Sequence, residues 1–335
     1  MLRGGFFAIK APVFAHPFVA IQAITTVIIA ASFGAGFYSA HKSGFMHIEA
    51  GLMGQASNLF SYFTGLSGFL FGFFIFNGLG GYNTIKNNYL GGFWGGAQNL
   101  MVLVPTFFPE PEHAELRETI IRWTMASFTL MCGLVTDGLS YEKLMDLLEK
   151  RNLLTIDETQ MMNGYHGNPN VPLMWAMMSL KAQIYKYDLP GPHHKGVALE
   201  KTLLAMRGSI GGVLTACSTF GQTPLPLVHL MSALVKMQLF FLALNEGLVM
   251  ASICVDESEG KIPQLMMCGL MLIVTPIIFQ GLLEFVIMVN NPFGEDWVDY
   301  PASLYYVQLR DEIMLYNDAG TAALDLGTVN KWLQK

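Results

Sequence analysis

Asn291-Pro292-Phe293-Gly294-Glu295-Asp296, continued by Trp297-Val298-Asp299-Tyr300, follows directly on an apolar run, Ile262 to Asn290, whose one charged residue is Glu284. About 20 mostly apolar residues suffice for a helix to cross a bilayer, and this run exceeds that. Pro292 has no N–H, and its ring clashes with the preceding turn, so the helix must stop. Gly294 opens backbone angles that other residues avoid, and the chain turns sharply. Glu295, Asp296 and Asp299 crowd the exit. Carboxylates and main-chain carbonyls on a tight turn suit a hard cation such as calcium. They suit equally a plain helix stop with hydrated acids, and the residues alone leave both readings open.

Working outward, the same logic finds three more spans. No Asp, Glu, Lys or Arg lies between Lys10 and Lys42, nor between Glu49 and Lys86. These gaps predict transmembrane helices over Phe18–Ala40 and Leu59–Leu79. Leu227–Cys254 reads as the third and Ile262–Asn290 as the fourth. The 335 residues are 52% hydrophobic and only 13% charged, against about 25% charged in ordinary soluble domains. The expectation is an all-α integral membrane protein held as a single domain, 1–335. It has four spans, a cytoplasmic helical region over about 86–220 and a C-terminal tail, 291–335. Met1–Lys10 is short and basic, but the apolar run after it is long enough to span, so no cleavable signal is read there.

Within 86–220, Gly91–Gly96 reads as a bend or a close-packing segment. Glu110–Leu153 has helical character, Asn163–Pro172 reads as a polar loop, and helices are predicted over Leu173–Tyr187 and Val197–Cys217. A last helix falls around Ala302–Tyr316. With four spans, the N-terminus, the middle region and the tail share one side. That side carries nearly all the Lys and Arg, whereas the two short opposite loops hold only Lys42 and Lys261. The basic side is therefore cytoplasmic or its organellar equivalent.

Chemistry-bearing residues are few. A net charge of −6 gives no nucleic-acid footprint. Cys132, Cys217, Cys254 and Cys268 are scattered without a CxxC pair and imply neither a disulfide framework nor a zinc site. No nucleophile elbow, P-loop or HExxH motif occurs. His193-His194, the one histidine pair, sits after Pro190-Gly191-Pro192 and reads as a surface loop. In the second span, Phe69 and Phe73 are four residues apart and share a face that Phe76 extends. That stripe is either a lipid-facing or packing surface, with Gly68 and Gly72 allowing close helix contact, or a hydrophobic constriction if several copies surround an axis. Phenyl edges carry partial positive charge, so edge-on rings tolerate a partly dehydrated anion. Lys236 and Glu246 fall inside the third span and Glu284 near the end of the fourth, where charges are costly and often functional. Lys236 could draw anions or simply satisfy packing.

The NPFGED motif after the last span resembles the signature of the bestrophin family of pentameric anion channels. The segment around Phe69 and Phe73 is similar to that family's pore neck. Further matches run in order from Tyr62 to Asn317. They include Leu116–Trp123, Leu153-Leu154-Thr155 with Glu158, Pro172–Trp175, Ser179–Ala182 and Pro224–His229. The resemblance implies a homopentamer in membrane lipid, with an axial pore for chloride and related monovalent anions such as bicarbonate, and no enzymatic activity. It implies a neck at Gly65, Phe69 and Phe73, with Gly65 in place of a bulky apolar residue, which predicts a shorter or wider neck. Ungapped matching brings Ala198, beside Val197, to a second constriction at the cytoplasmic mouth. It also implies a Ca2+ clasp from Asp296, Asp299 and the Asn291 carbonyl. Met288 replaces a coordinating glutamine there, and thioether sulfur is a poor calcium ligand. Gly65, Met288 and the dissimilar N-terminus favour the alternative, a non-conducting scaffold subunit in a larger membrane complex. A plasma membrane and a thylakoid-type membrane are both compatible with the family.

Overall fold

The computed structural model describes residues 17–136, 138–186, 192–218, 225–255, 261–289, 292–294 and 299–321. Among them every regular element is helical. The chain divides into two compact units, each assembled from two separated stretches: Met1–Gly80 with Thr223–Asn290, and Gly81–Gln222 with Asn291–Lys335.

The first unit holds the spans. Helix α1 covers Pro17–Lys42 and α2 covers Ala50–Thr84. Helix α2 starts nine residues before the charge-free core that predicted it. It passes into a π-helical turn, Ile85–Leu90, and then into α3, Gly91–Phe107. The third and fourth spans, here α9 (Leu225–Val255) and α10 (Lys261–Val289), match their predicted limits within two residues. All four are long and apolar enough to cross a membrane. Helix α1 buries Val19, Thr26, Ala30 and Gly34, one face at helical spacing. Glycine makes its close approach to α9 possible. A Cβ at Gly247 would lie 2.7 Å from the Phe33 Cβ and 2.9 Å from the Ala30 carbonyl oxygen. Phe63 stacks on Phe241 of α9 at 4.7 Å, and Phe71 meets Phe279 of α10 at 5.9 Å.

The second unit is a helical body around α3. Phe93, Ala97, Leu100, Met101 and Val104 recur every three or four residues and are fully buried. The expected bend at Gly91–Gly96 is instead helix, and the close-packing reading is the correct one. A Cβ at Gly96 would meet the Met206 side chain at 2.4 Å, and one at Gly92 would meet the Ser209 hydroxyl at 2.7 Å. Both partners lie on α8, Pro192–Cys217. Helix α4 (Ala114–Val135) packs on α7 (Asn170–Lys186), and α11 (Ala302–Thr321) lies on α3. Trp94 and Gln98, one turn apart on α3, both donate to the Glu312 carboxylate of α11, at 2.6 and 2.7 Å. Short helices α5 (Tyr141–Lys150) and α6 (Ile156–Gly164) begin at Ser140 and Thr155 caps. Helix α7 starts earlier than expected because Pro172 falls in its first turn, where a missing N–H costs nothing. Likewise His193-His194 belong to the first turn of α8 rather than to a loop.

Candidate functional site

The second span has two unlike faces. Phe71 and Phe74 are 2% and 5% exposed and lie in the core of the first unit, whereas Phe69, Phe73 and Phe76 are 73%, 56% and 77% exposed. Tyr62 and Leu66 extend the open face toward the start of the helix. Positions 62, 66, 69, 73 and 76 alternate steps of four and three, which keeps them on one stripe of a helix. Gly65 lies on this open face, with no atom within 4 Å of where a Cβ would stand. The three positions expected to form a neck, Gly65, Phe69 and Phe73, therefore share a surface that the single chain leaves uncovered.

Ala198 lies in the second turn of α8, half-buried, and its carbonyl accepts a 3.0 Å hydrogen bond from the Thr202 hydroxyl. Its neighbour Val197 is exposed. Val197 lines a cavity between α7 and α8 with Met177, Tyr185, Lys181 and Glu200.

Asn291 and Asp296 lie outside the described residues. Asp299 lies within them, half-buried. The loop that carries it is closed by the backbone: the Tyr300 N–H donates to the Pro292 carbonyl at 2.9 Å. The sequence neighbours of Asn291 and of Asp299 thus meet. Phe293 and Tyr300 are buried against each other, edge to face at 5.2 Å. The Tyr300 hydroxyl donates to the Tyr82 carbonyl, and Asp299 is within electrostatic reach of the Tyr82 phenol. Sequence reasoning missed this anchor. Its signal was a tyrosine directly after the last acid of the motif. No group of three or more metal-ligating His, Cys, Asp or Glu side chains gathers among the described residues. Met288, at the position expected to weaken a clasp, is buried.

Of the charged residues inside spans, Lys236 is exposed and makes no ion pair among the described residues. Glu246 is buried and accepts from the Asn245 amide at 3.1 Å, and Glu284 accepts from Gln280 at 2.9 Å.

A family model described as bestrophin, RFP-TM, chloride channel matches residues 23–305. The chain belongs to the bestrophin family. The match takes in α1 from its seventh residue, the whole of the other three apolar helices, and the start of α11. A bestrophin is an integral membrane protein of a chloride-channel family, not an enzyme. The solved structures it resembles agree in fold. A bacterial bestrophin homologue from Klebsiella pneumoniae aligns with TM-score 0.69 at 14% identity, covering 90% of this chain and 98% of that one. A singly substituted form of the Klebsiella pneumoniae homologue aligns with TM-score 0.67 at 14% identity, covering 88% and 99%. A further crystal structure, of a membrane protein variant, aligns with TM-score 0.69 at 13% identity, covering 90% and 99%. Comparison with the curated proteins finds no match. The bestrophin fold is thus preserved at a level of identity where few individual residues are shared.

Proposed function

We propose that this bestrophin conducts chloride, and bicarbonate with it, through the axis of a homopentamer, with Phe69 and Phe73 lining the neck. The observation that carries the reading is the open face of α2. Large aromatic side chains stand at helical spacing on a membrane span, on the face turned away from the protein's own core. Around a symmetry axis such faces make rings narrow enough to exclude bulk water, and the positive phenyl edges favour a partly dehydrated anion. Gly65 leaves the ring above them without a side chain, so the neck is two aromatic layers deep. Ala198 serves as the aperture on the cytoplasmic side, where its methyl group makes a narrow but apolar lip.

Calcium control belongs to the same proposal. The backbone closure at Pro292 and Tyr300 supports it, because the two ends of the ligand-bearing loop are held together before any ion arrives. Met288 lowers the affinity of the site, so calcium acts at higher concentration than a clasp with a full set of oxygen ligands would need.

The test is chloride flux through the purified full chain in liposomes, with and without micromolar calcium, beside the Phe69→Ala and Phe73→Ala double variant. Flux that the double substitution alters supports the neck. Calcium dependence that Asp296→Ala removes supports the clasp. Correctly assembled protein without flux at any calcium level overturns the channel reading in favour of a scaffold subunit of a larger membrane complex.

A further inference from the structure

The turn joining α1 to α2, residues 43–49, is held in an unusual way. Its first half is tied by main-chain carbonyls at the end of α1: Gly44 bonds to His41, and Phe45 and Met46 bond to Ala40. Its second half hangs on a side chain. The Ile48 N–H donates at 3.3 Å to Nδ1 of His41, seven residues earlier. His47 stands edge-on to the same ring, with centroids 5.7 Å apart and planes at 83°.

We propose that His41 and His47 form a proton-sensing pair that sets how firmly this turn, and with it the start of α2, is held. An imidazole nitrogen that accepts a hydrogen bond carries no proton, so the Ile48 contact fixes His41 in the neutral form with its hydrogen on Nε2. Protonation places a second hydrogen on Nδ1. The acceptor becomes a donor, two N–H groups face one another and the bond is lost. Histidine is the side chain that ordinarily gains its charge between about pH 5 and 8. The new cation lies beside Lys42 and against the ring of His47, and a second proton on His47 adds to the repulsion. Glu49 is the acid of the turn itself. The helices packed on α1 are α9 and α10. Their contribution at this side among the described residues is Lys261, at the first position of α10.

A metal site is a poorer fit for the pair. The one bare nitrogen of His41 is already occupied by the Ile48 N–H, and the other carries a hydrogen, so the ring offers no lone pair. The turn bears on function through the helix it leads into. Six residues after His47 the chain is already in α2, the helix that carries the open aromatic face.

The test uses the full chain at about pH 7.5 and about pH 5.5, one above and one below the model-peptide histidine value of about 6.5. Hydrogen exchange of the segment 43–49 in detergent is corrected for the intrinsic pH dependence of exchange. It is expected to speed up about fivefold on acidification, the effect of losing one hydrogen bond. In His41→Gln the amide oxygen can still accept from Ile48 at both pH values, and the response is expected to disappear. In His47→Gln it is expected to shrink. In liposomes, chloride flux is expected to change with pH on the side of this turn in the natural chain and not in His41→Gln. Exchange that does not respond to pH, or that responds equally in His41→Gln, overturns the proposal. So does Zn2+ alone, added at the higher pH, if it alters exchange of the turn and His41→Gln abolishes that effect. Exchange that responds in a protein without flux at either pH upholds the proton-sensing pair and removes the channel reading, which the exchange measurement does not need.

Discussion

The phenol of Tyr300 donates its hydrogen to the main-chain carbonyl of Tyr82, and the two rings lie 4.5 Å apart. This bond joins the loop after the last span to the end of α2, across more than two hundred residues of chain. Burial pushes the Tyr300 phenol upward from its ordinary range, so it stays a donor at any working pH. Tyr300→Phe keeps the ring contact and removes the bond. The expected cost is about 1 kcal/mol, a drop of about 1–2 °C in the midpoint for a chain of this size. Thermal unfolding in detergent measures the drop. Flux against calcium concentration is expected to show a weaker calcium response in the same variant.

Gly65 offers a cleaner probe of the proposed neck than Phe69 and Phe73. Nothing stands within 4 Å of its absent side chain, so Gly65→Leu is expected to fold and assemble as the natural chain does. A third apolar layer would then lengthen the constriction. Chloride flux per assembled protein is expected to fall at least severalfold, with the elution profile on size exclusion unchanged. Unaltered flux would place the pore away from this face.

Glu158 gives the second unit a pH dependence. Burial alone would raise its pKa, but the Thr155 N–H, the Arg122 guanidinium and the Trp123 indole all bond the carboxylate and hold it below the usual range. The bonds are 2.7 Å from Thr155, 2.8 Å from Trp123 and 3.2 Å from Arg122. A depressed folded-state pKa means that the unfolded chain takes up the proton first as pH falls. The stabilisation is therefore complete above the ordinary glutamate range and is lost on acidification through it. Glu158→Ala removes a helix cap and an ion pair together, with an expected cost of about 2 kcal/mol near neutrality. Midpoints measured at neutral pH and at pH below about 4 should converge between the variant and the natural chain, because the loss lies below the unfolded glutamate value.

Gly247 tests the contact between the first and third spans. Gly247→Ala drives a methyl group onto the Ala30 carbonyl, 2.9 Å away. Main chain cannot yield as a flexible side chain can, and overpacking of this kind costs about 1–3 kcal/mol. Gly269→Ala on α10 meets nothing within 4 Å and is the matched control. The fraction of monodisperse protein after mild heating is expected to fall for the first and hold for the second.

The spans were legible because a bilayer tolerates few charges, and the gaps between charged residues mark them directly. The end of the second span was not. The charge-free core reads as ending at Leu79, yet the chain continues helical through Ile85–Leu90 and on to Phe107. At Gly92 and Gly96 tertiary packing overrides the low helix preference of glycine, as Ser209 and Met206 fill the space they leave. The aromatic stripe was legible from its spacing alone. What it faces was not, because that depends on neighbouring copies and no single chain encodes it in periodicity. The motif loop was legible as a turn with acids, whereas its attachment through Tyr300 joins residues too distant in sequence for any local pattern to reveal.

The second unit draws its helices from both sides of the last two spans, Gly81–Gln222 and Asn291–Lys335. Its final described helix supplies the buried residues Leu309 and Ile313 and the carboxylate that Trp94 and Gln98 grip. During synthesis the earlier helices leave the ribosome long before α11 exists. Two further membrane helices must be made in the interval while part of the α3 surface stays bare. Completion of this body is therefore a late event, and a nascent chain stalled before Ala302 presents chaperones and proteases with an unfinished core.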